Sequence, residues 1–377
     1  MKILIVNYEF PPLGGGGGVA AKDLARGFMK NGHSVDYLTT RFKDARRTET
    51  VDGIRVHRVR VLGRRHQSHA SLPSLLSFPF CALWKGIRLC RTHRYDLINT
   101  HFVIPSGPLG WLLSVLFRIP NILTVHGGDI YDPTKSLSPH RHWGLRAVVR
   151  FLLNRADVVT AQSSNTKENT LEYYRPRKQI QVIPLAYETI PYAPVPRTEL
   201  ELDPKAFVLA GMGRMVKRKR FADIVRALQL LPEQVRAVII GKGPESEAIK
   251  SLAREMDVAD RLLLPGFVSQ ERKMQLLNAS DAFVLSSEHE GFGIVLQEAM
   301  QAGLPIIATN NGGQTDLITQ SKNGYLYKPG DVQALVESIR ALMANADLRR
   351  EMAEENKQRV REFSPESIAQ RYLELLG

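Results

Sequence analysis

The sequence predicts an α/β protein built from two doubly wound domains, each a parallel sheet covered by helices on both faces. Three observations carry that reading. Short β-rich runs alternate with stretches of helical periodicity, the pattern that parallel strand–helix–strand units require. The alternation stops in a proline-crowded segment, Pro184–Pro204, and then starts again. The 377 residues, 44% apolar and 24% charged, suffice for two cores of ordinary globular composition.

In the first half the strand candidates are Ile3–Val6, Val35–Thr39, Ile54–Val59, Leu97–Asn99, Ile122–Val125, Val158–Thr160 and Ile180–Ile183. The second half restarts at Phe207–Ala210 and continues through Ala237–Ile240, Leu262–Leu264, Ala282–Leu285 and Ile306–Ala308. Phe221, Ile224, Val225 and Leu228 recur at helical spacing, as do Val332, Leu335, Val336, Ile339 and Leu342. Pro184, Pro191, Pro194, Pro196 and Pro204 interrupt this rhythm, so the boundary is expected there, giving domains of residues 1–190 and 191–363.

Charge is uneven. Residues 1–185 hold 27 Lys and Arg against 12 Asp and Glu, a balance of +15, and the remainder hold 24 against 26, a balance of −2, which together make the net +13. A basic half joined to a near-neutral half points to a polyanion or an anionic membrane surface as a partner of the first domain. Nucleic acid is the rival, and it is disfavoured because the basic residues are not interleaved with stacking aromatics. Two cysteines, Cys81 and Cys90, are too few for a disulfide framework and fit a reducing compartment. Met1–Val6 reads as a buried first strand rather than a signal peptide, and no run approaches the roughly 18 apolar residues that cross a bilayer. Leu72–Trp84 is apolar and aromatic, with Arg64, Arg65, Lys85, Arg88, Arg91 and Arg94 on its flanks. It fits an interfacial segment and equally a helix packed on the first sheet.

The chemistry concentrates in Ser286–Pro305. After the apolar run Ala282–Leu285 comes Glu290-Gly291-Phe292-Gly293-Ile294-Val295, then a helical pattern carrying Glu298 and ending at Gly303-Leu304-Pro305. Amides at a helix start attract anions, and glycine lets a phosphate approach the main chain. Two carboxylates beside a phosphate make sense only if hydroxyls are bound as well, so the needs converge on a nucleotide sugar. The competing reading is an ordinary strand–loop–helix unit with solvated acids.

Two glutamates with seven residues between them, Gly-Phe-Gly after the first, and the Ala299-Met300-Gln301-Ala302-Gly303-Leu304-Pro305 exit resemble the signature of glycosyltransferase family 4. The resemblance runs from Met1–Val6 to Asn323–Asp331. It implies a GT-B fold, with two doubly wound Rossmann-like domains facing across a cleft. The first would be the acceptor side, the second would bind the nucleotide sugar, and residues 364–377 would cross back onto the first domain. It implies a retaining hexosyltransferase that moves a sugar from a nucleoside diphosphate to an acceptor hydroxyl. The acceptor would be lipid-linked or a polysaccharide, in glycolipid, lipopolysaccharide or exopolysaccharide assembly. The expected location is cytoplasmic, peripheral at the inner face of the membrane.

Residue by residue, the resemblance implies the following site. Arg214 and Lys219, in Gly211–Arg220, would stabilise charge on the leaving diphosphate, with Gly213 beside them. Arg220 stands where the family pattern has glycine, which puts the local backbone in question. Glu290 would bind the sugar and Glu298 the ribose, while Gly291, Phe292, Gly293, Ile294 and Val295 would line the donor. Val268, after Gly266-Phe267, would read the base edge. His126, in His126-Gly127-Gly128-Asp129, would contact the donor sugar, and Asp129 would orient its loop or the acceptor. His101 matches a further histidine on the acceptor side, and Asn99 replaces its usual companion histidine. Gly16, Gly17 and Gly18, in the run Gly14–Gly18, would meet donor phosphate or acceptor, and five glycines in a row read as a lid.

Two other classes are weighed. Gly16, Gly18 and Ala21 fit a loose dinucleotide fingerprint, but the acidic residue expected at the end of the second strand is missing, where Thr39-Thr40-Arg41 stands. That keeps an NAD(P)-dependent dehydrogenase as an alternative, and a non-catalytic anionic-lipid-binding module as another. No metal is expected: the sequence has no Asp-x-Asp and no His-Glu-x-x-His, and Glu288-His289-Glu290 reads as part of the sugar site. No cofactor beyond the donor substrate is implied.

Overall fold

The computed structural model describes residues 1–67 and 70–376. The chain forms two compact units, Met1–Glu188 with Phe363–Gly377, and Thr189–Glu362. In the first unit the elements run β1 (Lys2–Asn7), α1 (Gly16–Lys30), β2 (Ser34–Thr40), β3 (Thr48–Val51), β4 (Ile54–Val59), α2 (Leu72–Thr92) and β5 (Leu97–His101). They continue with α3 (Gly107–Phe117), β6 (Asn121–Val125), α4 (Trp143–Arg155), β7 (Val158–Ala161), α5 (Ser164–Tyr174) and β8 (Ile180–Val182). The eight strands lie in the order β3-β4-β2-β1-β5-β6-β7-β8, and every pair is parallel except β3 with β4. The chain winds outward from β1 to β2 and then returns to β5. The order therefore reverses between β1 and β5, the place where open sheets of this kind bind ligands.

The second unit comprises β9 (Phe207–Met212), α6 (Phe221–Leu230), β10 (Val235–Ile240), α7 (Ser246–Glu255), β11 (Leu262–Gly266), α8 (Gln270–Asn278) and β12 (Ala282–Leu285). It is completed by α9 (Ile294–Gln301), β13 (Ile306–Thr309), β14 (Gly324–Tyr327), α10 (Val332–Ala344) and α11 (Ala346–Arg361). Its six parallel strands are ordered β11-β10-β9-β12-β13-β14, which puts the reversal between β9 and β12. The strands are buried because helices cover both faces, so their sequences are nearly continuous apolar runs.

The last helix, α12 (Pro365–Leu373), belongs to the first unit. Ser364 caps it by accepting from the Ser367 amide, and Pro365 occupies its first turn. It packs along α1, where Ile368, Ala369 and Tyr372 join Leu24, Ala25 and Phe28 in one buried cluster with Ile3 and Ile5. Gly27 makes the approach possible, since a β-carbon there would lie 1.9 Å from the Pro365 carbonyl oxygen. The other face of the sheet carries separate clusters, one around Phe78, Leu109 and Leu113 and one around Val149, Leu152 and Tyr174.

Three features differ from the sequence expectations. β3 is an antiparallel edge strand joined to β4 by Asp52 and Gly53, both at positive φ (52° and 82°), a tight hairpin that the Asp-Gly pair encodes. β14 is a second strand beyond the expected set, paired in register with β13. Helix α1 starts at Gly16, so three of the five glycines form its first turn instead of a lid.

Candidate active site

In the second unit the loops after β9 and β12 meet at the strand-order reversal, and they bring the basic loop to the glutamate motif. Lys219 is buried, and its Nζ donates to Glu290 Oε1 at 2.5 Å. Arg218 donates through Nη1 to the His289 carbonyl oxygen at 2.9 Å and reaches Glu290 Oε1 at 3.3 Å. Burial alone would raise the Glu290 carboxyl, but Lys219 and Arg218 overcome it and hold its pKa at about 2. The main chain ties the same pieces together, because the Glu288 amide donates to the Arg218 carbonyl oxygen at 2.7 Å. Gly213 has φ 147°, and a β-carbon there would sit 3.3 Å from Lys219 Cε. The glycine thus leaves room for the lysine to lie against the backbone. Arg214 is exposed.

Arg220 adopts the left-handed conformation, φ 49°, that glycine takes without penalty. Its guanidinium holds it there, reaching Asp223 at 2.7 Å and Glu288 at 3.2 Å. The backbone geometry that the missing glycine put in question is therefore preserved by an ion-pair clamp.

Beyond Glu290, Phe292 is buried and anchors the turn, and Gly293 caps α9 with φ 103°. The amides of Ile294 and Val295 stand in the first turn of that helix, where no intrahelical acceptor serves them. Glu298 lies on α9 and pairs with Lys273 of α8. Burial pushes its carboxyl up, and Lys273 offsets only part of that. Val268 is half-buried just past Gly266, next to the exposed Phe267. Glu290, Lys219 and Gly213 are thus brought together with Gly291–Val295, whereas Glu298 is engaged by a lysine the sequence reading did not single out. Arg218 was also missed, because a run of basic residues gives no sign of which side chain turns inward.

In the first unit the strand-order reversal places the loop after β1 beside the loop after β5, with the His126 loop after β6. Phe102 stacks on His126 with ring centroids 4.3 Å apart. His126 Nε2 lies 2.9 Å from His101 Nδ1, and both rings are buried. Burial pushes both histidines down, His126 to about 3 and His101 well below the ordinary imidazole range. Asp129 accepts from the amides of Val103 (2.6 Å) and His126 (3.0 Å), so it ties the two loops together as a positioning residue. Despite those bonds burial raises its pKa to about 6.

The glycine run reads differently here from a lid. A β-carbon on Gly14 would meet the Glu9 carboxylate at 2.2 Å, and one on Gly17 would meet Phe102 at 2.4 Å and His126 Nδ1 at 3.3 Å. Only the Gly15 position of Gly14, Gly15, Gly17 and Gly18 faces open space. Glycine is needed because α1 starts directly over the Phe102–His126 stack. Glu9 accepts from the Gly15 amide at 3.0 Å, and burial raises its carboxyl against that bond. Glu9 and Phe102 were missed by sequence reading, and the Glu9-Phe10-Pro11-Pro12 context carried no signal for them. Among the described residues no group of three or more His, Cys, Asp or Glu is arranged to hold a metal ion.

Residues 196–359 match the family described as glycosyl transferases group 1, and residues 15–186 match the glycosyl transferase 4-like domain. The two matches take in both parallel-sheet units, and the chain belongs to the family 4 type of GT-B glycosyltransferase. It is 29% identical over 385 residues to N-acetyl-alpha-D-glucosaminyl L-malate synthase of Bacillus anthracis, covering 99% of this chain and 95% of that protein. In fold it is similar to sucrose-phosphate synthase from Thermosynechococcus elongatus (TM-score 0.84, 24% identity, 100% of this chain and 98% of that one). It is also similar to Anabaena HepE solved in complex with UDP (TM-score 0.77, 23% identity, 100% and 99% covered). Membership in this family displaces the dehydrogenase and non-catalytic alternatives.

Proposed function

We propose that this glycosyltransferase uses a nucleoside-diphosphate sugar and keeps the anomeric configuration. The observation that carries the reading is the Lys219–Glu290–Arg218 constellation just ahead of α9, with Lys219 and Glu290 buried and Arg218 half-buried. Its two cations exceed its one anion, which suits a diphosphate, and the carboxylate stays ionised to accept from sugar hydroxyls. The HepE complex with UDP supports the same donor class. In the same-face substitution that the family resemblance implies, the bond from the anomeric carbon to the β-phosphate oxygen breaks as the acceptor oxygen bonds that carbon. The acceptor proton passes to the departing phosphate oxygen. Lys219, Arg218 and the exposed Arg214 stabilise the charge on that phosphate, work that a divalent ion does in other sites. His126 is assigned to a sugar hydroxyl, Glu298 to the ribose and Val268 to the base edge.

For the acceptor we infer a hydroxyl on a lipid-linked or polysaccharide carrier met at an anionic membrane surface. Support comes from α2, whose Leu72, Leu76, Phe80 and Trp84 form an exposed stripe while Ser74, Phe78, Ala82 and Gly86 face the core. No Asp or Glu occurs between Asp52 and Asp96, against nine Lys and Arg. Among the described residues no helix is long and apolar enough to cross a membrane. A second reading, a small soluble anionic acceptor, is favoured by the L-malate in the name of the Bacillus anthracis relative and by the same positive charge. A panel of nucleoside-diphosphate sugars scored for slow hydrolysis without acceptor tests the donor reading, with chelator and added divalent ions as parallel arms. Hydrolysis of one sugar nucleotide, unaffected by chelator, is expected. No hydrolysis and no binding across the panel would remove the donor assignment.

A further inference from the structure

The ring of His126 sits at the end of a hydrogen-bond chain whose direction is set at its far end. Asn99 of β5 places its side-chain nitrogen 3.3 Å from the Ile122 carbonyl oxygen. A carbonyl only accepts, so the Asn99 NH₂ faces Ile122 and its Oδ1 faces His101. That oxygen lies 2.7 Å from His101 Nε2, which must therefore carry a proton. A neutral imidazole holds one proton, so His101 Nδ1 is a bare acceptor. It receives the proton of His126 Nε2 at 2.9 Å. His126 is then left with an unprotonated Nδ1. That atom is buried and has no hydrogen-bond partner in a ring that is 7% exposed. It lies on the side of the ring that Gly17 passes.

We propose that Asn99 and His101 are positioning residues that lock His126 as an acceptor at Nδ1, so that this point takes a ligand hydroxyl or N–H and rejects a phosphate or carboxylate oxygen. An imidazole in place of Asn99 could donate or accept at the same spot and leave the chain reversible. An asparagine clamped by Ile122 sets it one way. Burial of both rings reinforces the lock, because the cationic form that would make Nδ1 a donor is suppressed. The identity of the ligand as a sugar hydroxyl rests on the glycosyl-transfer reading, while the direction of the chain does not.

The test uses the full-length protein labelled with ¹⁵N at histidine, with His126 assigned by comparison with His126→Asn. Long-range ¹H–¹⁵N correlation in the ligand-free protein is expected to show the proton on Nε2 of His126. A proton on Nδ1 overturns the proposal. His101→Leu removes the acceptor that orients His126, whereas His101→Asn keeps an amide oxygen in reach of it. The Leu variant is expected to give a mixture of His126 tautomers and a roughly tenfold fall in kcat/KM, the kinetic equivalent of one neutral hydrogen bond. The Asn variant is expected to recover most of that. A Leu variant with the wild-type tautomer and wild-type kcat/KM overturns the positioning role. If it does not fold, the wild-type spectrum still decides the direction. If the wild type transfers no sugar from any donor, the functional reading falls while the spectrum continues to judge the lock.

Discussion

Burying a carboxylate is costly unless cations meet it, and Glu290 is met by two. Breaking such a pair leaves an uncompensated charge, at a cost of about 3–5 kcal/mol when no other partner remains. Arg218 stays in reach of Glu290 Oε1, so Lys219→Met should cost less than that, yet still lower the melting temperature. Turnover should fall by about 10²–10³-fold, the usual loss for one charge-stabilising donor. Lys219→Met combined with Glu290→Gln removes both charges and is expected to restore much of the stability without restoring turnover. Thermal melts and initial rates on the three proteins check this. A double variant with wild-type rates would take both residues out of the chemistry. At this scale the sequence was half legible. The motif spacing exposed Glu290 and Lys219, but not that each is the other's partner.

Helices α1 and α12 lie close enough that one position decides their packing. Gly27→Ala places a β-carbon within 1.9 Å of the Pro365 carbonyl oxygen, so the helices must separate. Overpacking of this kind costs about 1–3 kcal/mol. The expected result is a lower melting temperature and faster proteolytic cleavage near Phe363. Unchanged values would mean that α12 docks elsewhere. Helix α2 belongs to the same scale. Phe80 and Trp84 are each 77% exposed, so Phe80→Ser with Trp84→Ser should leave the fold intact. That double variant is expected to lose co-sedimentation with anionic vesicles at low salt. Each Lys or Arg near such a surface contributes about 1 kcal/mol, screened over roughly 8 Å at physiological ionic strength, so high salt should release the wild type as well. Wild-type protein that stays in the supernatant at low salt would remove the membrane assignment and leave the soluble anionic acceptor.

Across the whole molecule, buried groups of opposite tendency set the dependence of stability on pH. Asp23 and Asp129 have pKa values of about 6 in the fold against an ordinary 3.8, raised by burial. Their contribution is present in acid and is lost as pH rises through 6. His126 at about 3, and His101 held well below the ordinary imidazole range, behave oppositely, and their contribution drains as pH falls. The two tendencies oppose each other between about pH 6 and pH 4.5, and Glu9 and Glu298, also raised by burial, add to the carboxyl side. Below that, Asp36 and Glu290, both at about 2, lose their advantage as the unfolded chain takes up protons. Melting temperature should therefore fall steeply beneath that window. Asp23→Asn removes one raised carboxyl, so its melting temperature should drop further below that of the wild type as pH falls from about 6 to 4.5. A difference between the two proteins that stays constant over that range would show that Asp23 is not protonated in the fold.

Alternation of apolar runs with helical spacing was written along the chain, because a buried strand must be apolar throughout and a covering helix must be apolar on one side. The restart at Phe207 and the glutamate spacing were legible for the same reason, being local in sequence. The edge strand β3 was encoded locally too, in Asp52-Gly53, but went unread because its alternating Thr48-Glu49-Thr50-Val51 lacks the apolar run of a central strand. Pairings between distant residues were not. Lys273 meets Glu298, Phe102 lies on His126 and Gly17 passes over both because strand order juxtaposes loops far apart in the chain. The proton direction through Asn99, His101 and His126 likewise needed two side chains of β5 and one from the loop after β6 placed in one line. Residue type supplies the capacity to donate, accept or carry charge. Only the tertiary arrangement decides which capacity is spent inside the protein and which is left for a ligand.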